Sequence, residues 1–226
     1  FRGREPSRQL CAVSTQHYAF SVDAFVDLVK DSPSDEYEFT LRETRTYDII
    51  QDVSNLRSEI GVLYLNKFNE KVIMKLLREN HLVFHPLFEA KPHVFISAEH
   101  PLAVKEIVTL EELADYPCLS FEQGEFNSFY FSEEILSTVY HRKSIHVSDR
   151  ATLFNLVLGL NGYTICSGVL STDLNGKQII SRPLATKEKM LIGWIVNSKA
   201  ILSRNARDYI VHLREIVRAY GFELLS

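Results

Sequence analysis

The segment from Ile145 to Gly168 constrains this chain more than any other. A short strand at Ile145-His146-Val147 runs into a capped apolar helix. A turn at Gly162 follows, then a second short strand ending at Cys166. Polar or small residues, Ser148-Asp149 and Ser167-Gly168, stand where each strand ends. In an open α/β sheet those carboxyl ends are where ligands bind. The pattern points to a binding crevice and carries no catalytic group.

The same rhythm runs from the start of the chain. Gln9 to Val13 reads as a strand. Tyr18 to Lys30 then carries Phe20, Ala24, Phe25, Leu28 and Val29 as a helical stripe. Tyr37 to Glu43 alternates apolar and polar residues, as a half-exposed strand does. Tyr47 to Leu56 is a second helix. Ile60 to Leu65 is an apolar run suited to a strand buried on both faces. Strand, helix, strand, helix, strand is the order of a parallel sheet. Further strands are expected at Leu82–Phe88, His93–Ser97, Cys118–Phe121 and Lys189–Val196. Helices are expected at Lys71–Glu79, Ser128–Tyr140 and Ser203–Ala219. A short helix opens at Thr109, where Thr109 and Glu112 have capping-box spacing.

Composition removes several functions. The formal charge of -4 leaves no overall nucleic-acid footprint. No apolar run is long enough to span a membrane, and Phe1–Pro6 lacks the apolar core of a secretory signal. The three cysteines, Cys11, Cys118 and Cys166, form neither a disulfide framework nor a metal motif. They read as reduced, buried, small hydrophobes; a redox switch using Cys118 and Cys166 is the alternative. The eight histidines are scattered and read as structural or solvated. Glu111-Glu112 and Glu133-Glu134 fall in the first turns of expected helices, where they favour the dipole. No phosphate loop, dinucleotide fingerprint or nucleophile elbow is present. Neither a cofactor nor a metal is expected, nor an enzyme.

What remains is repetition. Small polar residues follow strands at Ser14-Thr15-Gln16, Thr44-Arg45-Thr46, Glu122-Gln123-Gly124, Ser148-Asp149 and Ser167-Gly168. Helix-start N–H groups suit an anion, and Arg45 can grip a carboxylate bidentately. Plain helix capping needs the same residue types, but their recurrence points to a shared cleft.

The order of motifs resembles the effector-binding domain of LysR-type transcriptional regulators. The resemblance rests on the strands Leu82–Leu87 and His93–Ser97, on His100-Pro101-Leu102-Ala103, on the Thr109–Leu113 helix, and on Tyr116-Pro117 leading into a strand. It also rests on the opening segment, on Thr44-Arg45-Thr46 before a helix, and on Ser58-Glu59 before the strand Ile60–Leu65. It covers nearly the whole chain. One departure follows Ser167, where Val169-Leu170-Ser171-Thr172 replaces the commoner proline. Pro117–Gly124 and Asn127–Phe131 are similar to regulators of sulfur amino acid metabolism or transport.

The resemblance implies an α/β fold of two Rossmann-like subdomains joined by two crossover strands, like type 2 periplasmic binding proteins. Subdomain I would be residues 1–87 and 193–226, and subdomain II residues 88–192. It implies a small-molecule effector, a small anionic metabolite or amino acid, held between them. Its contacts would be Ser14, Thr15, Gln16, Thr44, Arg45 and Thr46 on one lobe. On the other they would be Phe121, Glu122, Gln123, Ser148, Asp149, Ser167 and Gly168. It further implies a cytoplasmic homodimer or homotetramer, pairing through Tyr18–Lys30 and Ser128–Tyr140. DNA would be bound only through an N-terminal winged helix-turn-helix preceding this chain, and no membrane is involved. Phe20, Phe25, Phe129 and Phe131 are interface or core. An extracytoplasmic solute-binding protein of the same fold is the alternative.

Overall fold

The computed structural model describes residues 9–225. The strands are β1 (Gln9–Thr15), β2 (Tyr37–Glu43), β3 (Ile60–Leu65), β4 (Leu82–Ala90), β5 (His93–Ser97), β6 (Cys118–Phe121), β7 (Ser144–Val147), β8 (Thr164–Cys166), β9 (Ile179–Pro183) and β10 (Met190–Asn197). The helices are α1 (Ala19–Lys30), α2 (Thr46–Ser54), α3 (Glu70–Glu79), α4 (Leu110–Leu113), α5 (Arg150–Leu160), α6 (Thr172–Asn175) and α7 (Arg204–Ala219). Phe1–Pro6, the start of subdomain I and its last residue, Ser226, lie outside the described residues.

The strands fall into two groups. The first is a five-stranded sheet in the order β2-β1-β3-β10-β4. Within it β1 runs parallel to β2 and β3, and β10 runs antiparallel to β3 and β4. The second group is the antiparallel sheet β8-β5-β9 beside the parallel pair β6-β7. A bridge at Cys118 and Tyr163 links the two parts.

Local sequence explains the layers. All six residues of β3 are buried. Ile60, Val62 and Tyr64 share a core with α1 and α7, while Leu63 and Leu65 share one with α2 and α3. Period-2 alternation therefore serves both faces of one strand. On α7, Ala206, Tyr209, Leu213 and Val217 recur at helical spacing and are fully buried. Each large apolar side chain so buried contributes about 1.5–3 kcal/mol. The Tyr209 hydroxyl keeps its hydrogen bonds, 2.6 Å from Ser21 Oγ and 3.0 Å from Ser21 O. In the second group α5 packs Leu153 and Val157 against Phe95, Leu119, Val147 and Ile179. Asp149 caps α5, accepting Thr152 N–H at 2.8 Å and Thr152 Oγ1 at 2.7 Å. The Thr109–Glu112 capping box forms with both reciprocal bonds.

One expected element is absent. Residues 128–140 form turns and no helix. Serines compete for the backbone here: Ser128 Oγ accepts Tyr130 N–H at 3.3 Å, and Ser137 Oγ donates to Phe129 O at 3.0 Å. Leu136 sits at φ 65°, which no helix interior tolerates. Glu133 and Glu134 are therefore not first-turn residues of a helix.

β4 and β10 pair along their lengths, from Met190–Ala90 to Asn197–Leu82. The chain leaves this ladder through Lys91-Pro92 and returns into β10 after β9. A register shift between Ile192 and Gly193 marks a bulge. A Cβ at Gly193 would stand 2.3 Å from His85 O and 2.5 Å from the Phe84 ring. Backbone cannot yield cheaply there. Gly193→Ala is expected to cost about 1–3 kcal/mol, read as a lowered midpoint in thermal unfolding; an unchanged midpoint would show that the ladder can part.

Candidate functional site

Five of the sequence-derived site residues belong to one buried region. Ser14 Oγ donates to Asp52 Oδ2 at 2.7 Å and lies 2.8 Å from Ser58 Oγ, beneath the surface. Thr15 Oγ1 donates to Gln16 O at 2.8 Å. Gln16 is fully buried. Its Nε2 donates to Thr46 Oγ1 at 2.7 Å, and its Oε1 accepts Tyr18 Oη at 3.0 Å and Tyr64 N–H at 3.1 Å. Thr46 Oγ1 donates onward to Phe131 O at 2.7 Å, and Thr46 N–H donates to Gln123 Oε1 at 3.1 Å. Gln16, Thr46 and Gln123 thus make one chain of bonds between the two strand groups.

The centre of the site is a cluster that the sequence left unmarked. His17 N–H donates to Glu133 Oε1 at 2.7 Å, and His17 Nδ1 lies 3.0 and 2.9 Å from the two Glu133 oxygens. Both side chains are 5% exposed. Phe121 stacks on the His17 ring with centroids 3.8 Å apart. Glu134 accepts Phe121 N–H at 2.9 Å and Ser132 Oγ at 3.1 Å. Gln123 Nε2 reaches Glu133 Oε2 at 3.4 Å. His17 directly follows Ser14–Gln16 at a strand end, a position that could have marked it. Glu133 and Glu134 carried no such signal.

Burial sets the charges. Desolvation disfavours an imidazolium at His17, but the Glu133 charge and hydrogen bond outweigh it and raise its pKa. Burial, then the neighbouring Glu133 charge, push the Glu134 carboxyl up to about 8. Glu134 is therefore mostly protonated at neutral pH.

The remaining site residues surround this centre. Arg45 is ion-paired with Glu122, its Nε donating to Glu122 Oε1 at 3.1 Å. Glu122 also accepts Gly124 N–H at 2.7 Å. The Arg45 guanidinium lies over Gly124, at φ 61°, where a Cβ would come within 2.6 Å of Nη1. Ser167 lines the cleft cavity and Gly168, at φ 83°, packs against the His93 ring. Thr44 is half-buried and Ser148 exposed, and neither hydroxyl has a hydrogen-bond partner among the described residues. Asp149 is exposed and its carboxylate serves α5.

A cavity opens between the two groups. His17, Tyr18 and Ala19 line it from one side; Phe95, Phe121, Glu133, Glu134, Arg150, Phe154 and Ser167 line it from the other. Its volume is about 40 Å³. Arg150 Nε sits 2.8 Å from Glu43 Oε1, yet Arg150 Nη1 is buried without a hydrogen-bond partner. Among the described residues no cluster of His, Cys, Asp or Glu could hold a metal ion.

The family profile described as the LysR substrate binding domain matches residues 6–218. The chain belongs to the LysR substrate-binding domain family. That family comprises ligand-binding regulatory domains, not enzymes. The regulatory domain of MetR from Neisseria meningitidis superposes with a TM-score of 0.63 at 13% identity, over 96% of this chain and 99% of that one. The effector-binding domain of QuiR in complex with shikimate gives 0.60 at 16% identity, over 95% and 99%. The reduced OxyR regulatory domain from Pseudomonas aeruginosa gives 0.62 at 14% identity, over 92% and 98%. These likenesses establish the periplasmic-binding-protein-like fold. No curated protein matches the sequence.

The LysR domain's thiols are poorly placed for redox sensing. Cys11, Cys118 and Cys166 are all free. Burial pushes Cys11 and Cys118 up to about 12 and raises Cys166 as well. Reactive cysteines need the opposite shift. Among the described residues no helix is long and apolar enough to cross a membrane.

The buried carboxyl predicts a pH dependence. A group whose folded pKa is raised favours the protonated native state, so its support is lost as pH rises. For Glu134 that loss accumulates from about 4.5 to about 8, and the raised His17 acts in the same direction above about 6.5. Thermal unfolding of the wild type between pH 5 and 8 should show a falling midpoint. Glu134→Gln should flatten that fall; parallel curves would refute the assignment.

Proposed function

We propose that this chain is the effector-sensing part of a bacterial LysR-type transcriptional regulator. Its lobes are residues 1–87 with 193–226, and residues 88–192, and a small anionic metabolite or amino acid binds between them. The observation that supports this best is the cavity whose walls come from both strand groups, with His17, Arg150 and Ser167 converging on it. A ligand touching both lobes shifts their relative orientation by its differential affinity for the two arrangements. The shift re-angles a homodimer or homotetramer and so controls transcription in the cytoplasm. DNA contact belongs to a winged helix-turn-helix outside these residues. α1 supplies one face of the pairing; residues 128–140, the expected second face, form turns and no helix. The similarity of Pro117–Gly124 and Asn127–Phe131 to regulators of sulfur amino acid metabolism supports a sulfur-containing amino acid or precursor as effector.

The test is a thermal-shift screen of amino acids, sulfur metabolites and small organic acids. At a hundredfold excess over Kd a ligand stabilises by about 2.7 kcal/mol, roughly 5–10 °C for a chain of this size. Thr44→Ala and Ser148→Ala should leave the ligand-free midpoint unchanged and weaken binding about tenfold, the worth of a hydrogen bond to a charged group. Titration calorimetry giving wild-type affinity in both variants would place the effector elsewhere.

A further inference from the structure

We propose that Glu133 is a built-in ligand of the cleft: its carboxylate holds the donors meant for a small carboxylate effector, and residues 124–140 form the strap that such an effector displaces. The proposal rests on the effector-sensing reading above and deepens it.

Three hydrogen-bond contacts carry it. The Glu133 carboxylate takes the His17 N–H and imidazole at the end of β1, reaching there from 116 residues away. Phe121 closes over the imidazole. A free carboxylate entering between the lobes would meet the same N–H and the same ring. Glu122 does likewise to Arg45, so each of these two first-group side chains is answered by a carboxylate of the chain itself. One donor is left over: Arg150 Nη1, buried in the cavity wall and unpartnered.

Room argues the same way. The 40 Å³ between the groups admits only a few waters, whereas small-molecule sites need about 300 Å³ or more. A ligand enters only if something leaves. The strap is the least regular part of the wall: beyond the short 3-10 turn Gly124–Phe126 its backbone forms turns and bends without a continuous ladder. Side chains hold it: Phe126 stacks on Tyr47 at 3.7 Å, Tyr130 stacks on Phe68 at 4.6 Å, Tyr64 Oη donates to Ser132 O at 3.2 Å, Glu134 accepts Phe121 N–H at 2.9 Å, and Ile135 anchors it in the main core. Behind it, against Ser120 and Phe121 of β6 and Ser144 and His146 of β7, lies an open hollow of about 760 Å³. The strap therefore has somewhere to go. A tethered carboxylate competes at millimolar effective concentration, so the effector's apparent affinity is lowered by the fraction of time the strap is in place.

Acetate tests this directly, because it restores the atoms that Glu133→Ala removes. In the full chain, Glu133→Ala should show a saturable rise of several degrees in unfolding midpoint with millimolar sodium acetate, against sodium chloride at equal ionic strength. Wild type should show none, and His17→Ala added to Glu133→Ala should shrink it severalfold by removing the imidazole contact. Glu133→Ala responding no more than wild type overturns the proposal. Should the alanine variant fail to fold, isosteric Glu133→Gln serves in hydrogen exchange. Amides of 124–140 should exchange about tenfold faster than in wild type while β1 and β3 stay unchanged, and equal exchange overturns the proposal. An effector from the screen should bind Glu133→Ala about tenfold more tightly than wild type. Equal affinity would remove the strap and leave effector sensing standing.

Discussion

A polar group sealed from water must find its partner inside the protein, and leaving one unpaired costs about 1–3 kcal/mol, more when it is charged. Where the two strand groups of this LysR domain meet, that requirement organises everything nearby. Gln16 is fully buried and needs acceptors and donors for its amide; Thr46, Tyr18 and the Tyr64 backbone supply them. Thr46 is satisfied in turn by Gln123 and Phe131, from the other group. Gln123 brings Glu133, and Glu133 brings His17. The hydrogen-bond chain crosses the cleft because neither side can complete it alone.

Magnitudes rank the ion pairs that cross with it. Arg45–Glu122 is one-third to two-fifths exposed. Such pairs contribute about 0–1 kcal/mol, and this one orients the turn at Gly124 more than it holds the lobes. His17–Glu133 is almost wholly buried. Removing one partner of a buried pair costs about 3–5 kcal/mol, since the other charge is left stranded. The second pair is therefore the stronger of the two contacts between the groups, and under the strap proposal it is the one a competing carboxylate would have to replace.

The β4–β10 ladder gives this cluster its setting. Two antiparallel strands, paired from Ala90–Met190 to Leu82–Asn197, are the covalent route between the groups. A bulge at Leu87 of β4, opposite Ile192 and Gly193, adds local twist where β10 passes His85. The polar cluster is a further buried tie between the groups, beside the apolar core in which Val94, Ile96 and Ile165 join Ile60 and Val62.

Much was legible in the sequence because it is local. Continuous apolar residues at Ile60–Leu65 specify a strand buried on both faces, and helical spacing from Ala206 to Val217 specifies the buried stripe of α7. Thr109 and Glu112 specify a cap through a three-residue spacing. Gln16, Thr46, Gln123 and Ser167 were legible as polar residues at strand ends. Their bonding was not, because partners 30 to 85 residues away are set by the packing of sheets. The segment 128–140 marks the boundary most clearly. Its apolar spacing suits a helix, but serine-to-backbone bonds, a left-handed Leu136 and the pull of Thr46, Tyr64 and His17 decide otherwise. Local pattern determined most of the elements and their order. Only the tertiary structure decided that Glu133 meets His17 in the cleft, because a carboxylate's role depends on which donors surround it once water is gone.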